Sequence, residues 1–162
     1  MPGRPDAFRA LYEAEYAGVA RYAWQLVRDR DLAAEIAQEA FTRLFSKWLT
    51  VQEPRHYVYR ITTNLVRDSW SRKLRQRELL DMMTLDAASP APETDLAAAF
   101  AVRQAVEALP VRLRPIVLLH YYADLSVADV ALALDRPAGT VKRQLHEARD
   151  VLASRLQGAT GG

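Results

Sequence analysis

The sequence predicts an all-α fold with two small helical domains joined by a flexible acidic linker. Apolar residues recur at helical spacing over most of the chain, and no segment alternates as a strand does. The segment 81–95 carries four acidic residues, two prolines and no Lys or Arg, which is typical of a flexible tether. With 162 residues and 50% hydrophobic content, the chain can form one small hydrophobic core before the segment 81–95 and another after it. We therefore expect helical domains over 6–80 and 96–157, with 81–95 as the linker.

Composition excludes several classes of protein. No cysteine is present, so a disulfide framework and a thiolate metal site are excluded. His56, His120 and His146 lack the spacing of metal ligands, and we expect no metal and no cofactor. The first residues lack the profile of a signal peptide, and no apolar run approaches the length of a membrane span. These observations predict a soluble, cytoplasmic protein without membrane insertion.

Three helices are expected before the linker. The first runs from about Asp6 to Val27, the second from near Asp31 to Trp48, and the third from Pro54 to beyond Arg72. The apolar spacing of the first two helices predicts these inward-facing residues: Phe8, Leu11, Tyr12, Val19, Tyr22, Leu26, Ala37, Ala40, Phe41, Leu44, Phe45 and Trp48.

The second helix has a separate polar face, formed by Glu35, Gln38, Glu39 and Thr42. A carboxylate-rich helical face is in most cases only solvated. The alternative interpretation of this face is a surface that docks on another protein.

The third helix combines an apolar stripe with cations and aromatic rings. Val58, Ile61 and Leu65 form the stripe. The aromatic residues are Tyr57, Tyr59 and Trp70, and the cations between 67 and 77 are Arg67, Arg72, Lys73, Arg75 and Arg77, against the single acid Asp68. Cations beside aromatic rings suit a nucleic-acid backbone with a base stacked against it. A long helix with a solvated basic end and core aromatics fits the residues equally well.

After the linker, helices are expected near Leu96 to Leu109 and near Arg112 to Ala123, followed by two helical patterns joined by a short turn. Ser126, with Asp129 three residues later, has the spacing of a helix cap. We expect Asp135 to take the left-handed conformation in the turn. Pro137 suits the first turn of the next helix.

This pair of helices predicts a helix-turn-helix. The expected buried stripes are Val127, Val130, Ala131 and Leu134 on the first helix, and Val141, Leu145, Ala148, Leu152 and Leu156 on the second. The opposite face of the second helix carries Lys142, Arg143, His146 and Arg149, with Thr140 near its amino end. Because a short turn, paired stripes and an outer cationic face coincide, we interpret the second helix as one that enters a DNA groove.

With these features the chain resembles the extracytoplasmic-function (group IV) sigma factors of bacterial RNA polymerase. The resemblance runs from about Phe8 to Leu156 and rests on three blocks: AAEIAQEAF, YVYRITTNLVRDSWSRK and LPVRLRPIVLLHYYADLSVADVALALDRPAGTVKRQLHEAR. Their order, and their separation by an acidic segment, make the combination specific. The resemblance implies a sigma region 2-like first domain and a region 4-like second domain, and a non-enzymatic protein that directs promoter-specific transcription initiation.

The resemblance also implies roles for single residues. The polymerase β′ clamp helices would be bound by Glu35, Gln38 and Glu39. The loop from Thr50 to His56 would capture a flipped base of the −10 promoter element. The melted −10 strand would be held by Asn64, Arg67, Arg72 and Lys73. The −35 element would be met by Thr140, Lys142, Arg143, His146 and Arg149.

The partners implied are core RNA polymerase, through its β′ clamp helices and β subunit, promoter DNA, and an anti-sigma factor. Two other functions are alternatives for a helical chain of this kind. One is a dimeric helix-turn-helix regulator whose first half serves dimerisation, but the basic aromatic-bearing helix lacks a continuous apolar seam. The other is a helical enzyme, which lacks a Glu-x-x-His pair, a Gly-rich phosphate loop and a nucleophile constellation.

Overall fold

The computed structural model describes residues 4–80 and 96–160, with the side chains of 4, 77–80, 96–99, 156, 157, 159 and 160 left aside. Every regular element within these two ranges is helical, which confirms the all-α prediction. The described residues divide into two compact units, one on each side of 81–95. The linker predicted over 81–95 lies outside the described residues.

The first unit consists of three helices, α1 (Arg4–Val27), α2 (Arg30–Ser46) and α3 (Pro54–Leu80). α1 ends where Arg28 takes the left-handed conformation, with a φ of 59°. Asp29 then caps α2, because its Oδ1 accepts a hydrogen bond of 3.0 Å from the Leu32 backbone N–H. The predicted helices are therefore present, although α2 ends before Trp48.

α1 and α3 run in the same direction and share the centre of this unit. Tyr22 on α1 and Thr63 on α3 are joined through their hydroxyl groups at 2.7 Å. Thr63 donates its own hydroxyl hydrogen to the Tyr59 carbonyl, so the Tyr22 hydroxyl is the donor to Thr63. At Gly18 the helices approach so closely that a Cβ would lie 3.1 Å from the Tyr59 hydroxyl oxygen. The largest fully buried side chains here are Tyr22, Tyr59, Phe41, Leu44 and Val19.

The core face of α2 differs from the predicted stripe. Ala33 and Ile36 are buried, whereas Phe45 is 46% exposed. Phe45 follows the fully buried Leu44 and is rotated by about 100° from it, so it lies at the margin of the buried face of α2. Its ring packs edge-on against Phe8, at 4.9 Å between centroids. On α1 the expected inward residues near the start are only half-buried, namely Phe8, Leu11 and Tyr12.

The second unit begins with α4 (Leu96–Ala108) and ends with the two helices α6 (Val127–Leu134) and α7 (Ala138–Thr160). Between them lie a 3₁₀ turn (Val111–Leu113), the short α5 (Arg114–Val117) and a π-helical turn (Leu118–Tyr122).

The prediction of a single regular α-helix near Arg112 to Ala123 was therefore wrong, because the segment is helical but changes type twice. Pro115 stands at the start of α5, and helices commonly begin at proline because the ring fixes φ and lacks an N–H. At the other end the Ala123 N–H binds the Leu118 carbonyl, five residues earlier, at 2.9 Å. Asp124 then takes a φ of 58°, which turns the chain toward α6.

α6 and α7 form the helix-turn-helix. The Ser126 hydroxyl accepts a hydrogen bond of 3.1 Å from the Asp129 N–H, as the cap spacing predicts. Asp135 lies in the left-handed region at φ 53° and ψ 52°, also as predicted. Pro137 directly precedes α7, and its carbonyl accepts the first helical hydrogen bond, from the Val141 N–H at 3.1 Å.

The buried stripes of this pair agree with the prediction at Val130, Leu134, Val141, Leu145 and Ala148. Ala131 is only half-buried, whereas Ala133, which was not predicted, is 2% exposed. Val127 and Leu152 are also half-buried, and the side chain of Leu156 is outside the described ones. The core contains these fully buried residues: Leu109, Leu113, Ile116, Leu118, Leu119, Leu125, Val130, Val141, Leu145 and Ala148.

Two further findings concern the described residues only. No helix within 4–80 or 96–160 combines the length and hydropathy that a bilayer span requires. Within the same ranges, no cluster of three or more His, Cys, Asp or Glu side chains has the geometry of a metal site.

Candidate functional site

The outward face of α7 carries the polar residues that the sequence analysis singled out. The residues beneath it, Val141, Leu145 and Ala148, are buried and fix the helix on its unit. The exposed residues are Lys142, Arg143, His146 and Arg149, and Thr140 is half-buried near the amino end. The structure therefore exposes the four cationic side chains on one broad surface of α7, with Lys142, Arg143 and His146 at its centre. Thr140 and Arg149, nine positions apart, lie at its two opposite edges.

These side chains differ in how they are held. Lys142 has no hydrogen-bond or ion-pair partner among the described residues. Arg143 Nη2 lies 3.5 Å from Thr140 Oγ1. His146 Nε2 lies 3.6 Å from Asp150 Oδ2, one helical turn later on the exposed side of α7. Arg149 Nε donates a hydrogen bond of 2.6 Å to the Tyr121 hydroxyl.

Glu147 introduces a negative charge into this helix, and Arg112 binds it. Arg112 Nη1 donates to Glu147 Oε2 at 3.0 Å, and Arg112 Nη2 binds the other oxygen. The hydrogen bond from Arg112 lowers the pKa of the Glu147 carboxyl, and the same bond raises the pKa of the guanidinium. Sequence reasoning missed this pair because its members are 35 positions apart and neither helical pattern links them.

The turn of the helix-turn-helix is tied to α7 by a second contact that the sequence did not reveal. Arg136 Nη1 donates a hydrogen bond of 3.1 Å to Gln144 Oε1, eight positions later. Together with the left-handed Asp135, this contact fixes the entry of the chain into α7.

On α2, Glu35, Gln38 and Glu39 are exposed on one face, as the spacing predicted. Gln38 Nε2 donates to the hydroxyl groups of Tyr12 and Tyr16 on α1, at 3.1 and 3.3 Å. Glu39 Oε1 accepts from Arg43 Nε at 2.8 Å.

These contacts distinguish the three polar residues of α2. Glu35 has no ion-pair partner in the part of the chain that the structure describes. The face therefore presents one free carboxylate, one amide held by two tyrosines and one carboxylate already paired within its own helix.

On α3 the four residues assigned to DNA do not share one face. Asn64 and Arg72 are exposed, and Arg67 and Lys73 are half-buried. At 3.6 residues per turn, Arg67 and Arg72 flank Asn64, but Lys73 projects from the side of the helix opposite to Asn64. The structure thus brings three of them together and separates the fourth.

Tyr59 is a core residue, so of the two interpretations left open for its ring the core one is correct and the nucleic-acid one is wrong. The ring is 1% exposed and packs against Tyr22 with 5.5 Å between centroids. Burial raises its pKa to about 12. The signal in the sequence is a second stripe at helical spacing, which is hard to recognise because three of its members are small and polar. Thr62, Thr63 and Ser69 are buried with Tyr59, as is Val66. Tyr57 and Trp70 are half-buried.

The segment from Thr50 to His56 connects α2 to α3 and is anchored at both ends. The Thr50 N–H and hydroxyl both bind the Lys47 carbonyl at 2.9 Å. Arg55 Nε binds Glu15 Oε1 on α1 at 2.9 Å, which fixes the first turn of α3. Gln52 and Glu53 between these anchors are exposed.

Comparison with known proteins decides the family. The model of sigma-70 region 2 matches residues 11–76, and the model of sigma-70 region 4 matches residues 99–152. The RNA polymerase sigma-E factor of Streptomyces coelicolor is 30% identical over 135 residues, covering 79% of this chain and 73% of that protein. The extracytoplasmic-function sigma factor SigW of Bacillus subtilis is 27% identical over 171 residues, 96% of this chain and 91% of that protein.

The chain belongs to the extracytoplasmic-function sigma factors. Region 2 of this sigma factor is matched within the first unit and region 4 within the second. The resemblance stated from the sequence is therefore confirmed, and the dimeric helix-turn-helix regulator is set aside.

Solved structures agree with this fold. The sigma factor RpoE of Bartonella quintana, determined in complex with the anti-sigma factor NepR, matches with a TM-score of 0.77 at 18% identity, covering 93% of this chain and 97% of that chain. CnrH, determined in complex with the cytosolic domain of CnrY, matches with a TM-score of 0.67 at 19% identity, covering 94% and 88%. At these identities the likeness concerns the fold.

Proposed function

We propose that this sigma factor binds bacterial core RNA polymerase and directs promoter-specific transcription initiation by recognising −10 and −35 elements. It acts in the cytoplasm as a binding protein without catalytic activity of its own. The observation that carries the proposal is the exposed cationic face of α7, on a helix-turn-helix whose chain also matches region 2.

The −35 element is assigned to α7. Lys142, Arg143 and Arg149 supply positive charge for phosphate contacts, which give affinity without sequence choice. Thr140 and His146 add donors that can reach base edges. The bidentate contact of Arg112 with Glu147 supports this role because it neutralises an acid that would repel the DNA backbone.

Docking on the polymerase β′ clamp helices is assigned to Glu35, Gln38 and Glu39. Glu35 is the member best suited to a basic partner, because its charge is not neutralised by a neighbour among the described residues. Gln38 is held by Tyr12 and Tyr16, so its amide loses little freedom on binding.

The −10 element is assigned to the middle of α3 and to the loop that precedes this helix. Asn64, Arg67 and Arg72 lie on neighbouring faces and suit one strand, with the loop from Thr50 to His56 receiving the flipped base. Lys73 contacts the DNA from a different side of α3, or through a phosphate further along the strand.

A regulator is also proposed. Both solved structures described above are complexes with a second protein, and the first is a sigma factor bound to an anti-sigma factor. We infer that an anti-sigma factor binds this chain, in competition with core polymerase and its β and β′ subunits.

Gel filtration of the purified chain with bacterial core RNA polymerase tests the docking assignment. We expect the wild-type chain to co-elute with the polymerase and a Glu35→Lys/Gln38→Ala variant to elute alone. Glu13→Lys is the matched control, because it reverses an exposed charge on α1 of the same unit. Co-elution of all three proteins would overturn the assignment to α2. A wild-type chain that is folded but elutes alone would overturn the proposed function.

A further inference from the structure

Tyr121 is a half-exposed aromatic residue that touches the DNA-facing side of α7. Its side chain is 52% exposed, although the ring is large and apolar. Its hydroxyl accepts the 2.6 Å hydrogen bond from Arg149 Nε, and the Arg149 guanidinium carbon lies 5.8 Å from the ring centroid. Arg149 is thus held through both the hydroxyl and the ring.

The backbone fixes Tyr121 in this position. Tyr121 lies in the π-helical turn Leu118–Tyr122, which closes with the hydrogen bond from the Ala123 N–H to the Leu118 carbonyl. Such turns are rare and frequently occur at functional sites.

The ring of His120 packs edge-on against Tyr121, with 4.7 Å between centroids. His120 Nδ1 lies 2.7 Å from the Leu125 carbonyl oxygen. Because a carbonyl oxygen only accepts, Nδ1 carries the hydrogen and donates it. The turn that carries Tyr121 is therefore tied to Leu125, two residues before α6 begins.

The contact with Tyr121 limits which edge of Arg149 can bind a ligand. A guanidinium has five N–H donors, and the Nε–H of Arg149 is used by the tyrosine. The remaining donors belong to Nη1 and Nη2, at the end of the side chain. These donors form a fork that suits two adjacent acceptors, such as guanine O6 and N7 or two oxygens of one phosphate.

We propose that Tyr121 is a positioning residue for promoter recognition, which holds Arg149 so that its Nη1 and Nη2 fork binds a pair of adjacent acceptors on the −35 duplex. The inference rests on the proposed function, because it takes α7 as the DNA-contacting helix. Tyr121 acts through Arg149 and reduces the side-chain freedom that Arg149 loses on binding.

The probe is a duplex selected by the protein itself. The wild-type chain in complex with core polymerase is incubated with a pool of duplexes whose central segment is randomised, and the bound duplexes are recovered and sequenced. The most enriched duplex then serves for binding measurements. No enrichment would overturn the proposed function and this inference with it.

A double-mutant cycle on the selected duplex tests the positioning role. We expect Tyr121→Phe, which keeps the ring and removes the hydroxyl, to weaken binding by about three- to tenfold, as for loss of one hydrogen bond of ordinary net strength at an exposed site. In an Arg149→Ala background the same change should have no effect. In an Arg143→Ala background, the matched control, it should keep its full effect. Equal losses in all three backgrounds would overturn the inference while leaving the proposed function intact.

Two further readouts separate positioning from a merely structural role. Because Tyr121 is half-exposed, Tyr121→Phe should leave the thermal midpoint unchanged, whereas the Arg149 Nε–H resonance should exchange faster with water. The effect of Arg149→Ala also distinguishes a guanine from a phosphate as the group that the fork binds. For a guanine, Arg149→Ala should abolish the preference for that base. For a phosphate, it should weaken all duplexes alike and reduce the salt slope by about one. An unchanged Nε–H exchange rate would contradict the positioning role.

Discussion

Lys142→Ala is expected to make DNA binding less sensitive to salt. Lys142 is exposed on α7 and has no hydrogen-bond or ion-pair partner among the described residues, so its charge is available to a phosphate. Each phosphate that a cation neutralises releases counterions and contributes a slope of about −0.9 to the dependence of log K on log salt. Removing one such contact should therefore make the slope shallower by about 0.9.

The size of the effect follows from this slope. Raising the salt from about 50 to about 200 mM is about a fourfold increase, over which one phosphate contact changes affinity by about 3.5-fold. The wild-type complex should lose that much more affinity than the variant over this range. Fluorescence anisotropy of the selected duplex, in a salt series with core polymerase present, measures both slopes.

Arg103→Ala is the matched control for Lys142→Ala. It removes the same charge from the same unit, but Arg103 lies on α4 and is paired with Glu107 at 3.3 Å. Its slope should equal that of the wild-type chain, and polymerase co-elution should be unchanged in both variants. A Lys142→Ala slope equal to that of wild type would refute the assignment of α7 to the DNA backbone.

Three further predictions concern stability and ionisation. Tyr22→Phe removes the donor to Thr63 and should lower the free energy of unfolding by about 1–1.5 kcal/mol in urea denaturation; an unchanged value would show that water replaces the hydroxyl. Trp70→Ala should lower it by about 1–3 kcal/mol, less than for a core tryptophan, because the ring is half-buried; no loss would place the ring in solvent. Arg112→Ala should raise the pKa of Glu147 toward its ordinary value, as followed by carboxyl ¹³C shifts in an NMR titration. Because that pKa is lowered in the folded protein, its stabilising contribution exists above the unfolded pKa and is lost as pH falls through the folded one, so the variant should lose less stability in acid.

Local sequence patterns were sufficient to predict much of the fold and the exposed cationic face of α7. The cap at Ser126, the left-handed Asp135 and the exposure of the cations on α7 all follow from residues within one or two helical turns. The acidic face of α2 follows from spacing in the same way. Such features depend on short-range geometry, which the sequence expresses directly.

Features that depend on tertiary contacts were missed. Tyr59 is buried because α1 packs over it at Gly18, and its stripe is hidden by small polar residues. Leu118 and Leu119 of the π-helical turn are buried in the core of the second unit, and helical periodicity alone does not indicate the wider turn. The contact of Tyr121 with Arg149 joins positions 28 apart, beyond the reach of helical periodicity.

Transcription from the selected duplex tests the central claim most directly. A linear template carrying this duplex is transcribed by bacterial core RNA polymerase with and without the chain, and the 5′ end of the product is mapped. We predict a single start site downstream of the duplex that requires the chain and is lost with the Glu35→Lys/Gln38→Ala variant. A chain that binds the duplex but yields no discrete start with core polymerase would contradict the account, because it would then act as a free-standing DNA-binding protein.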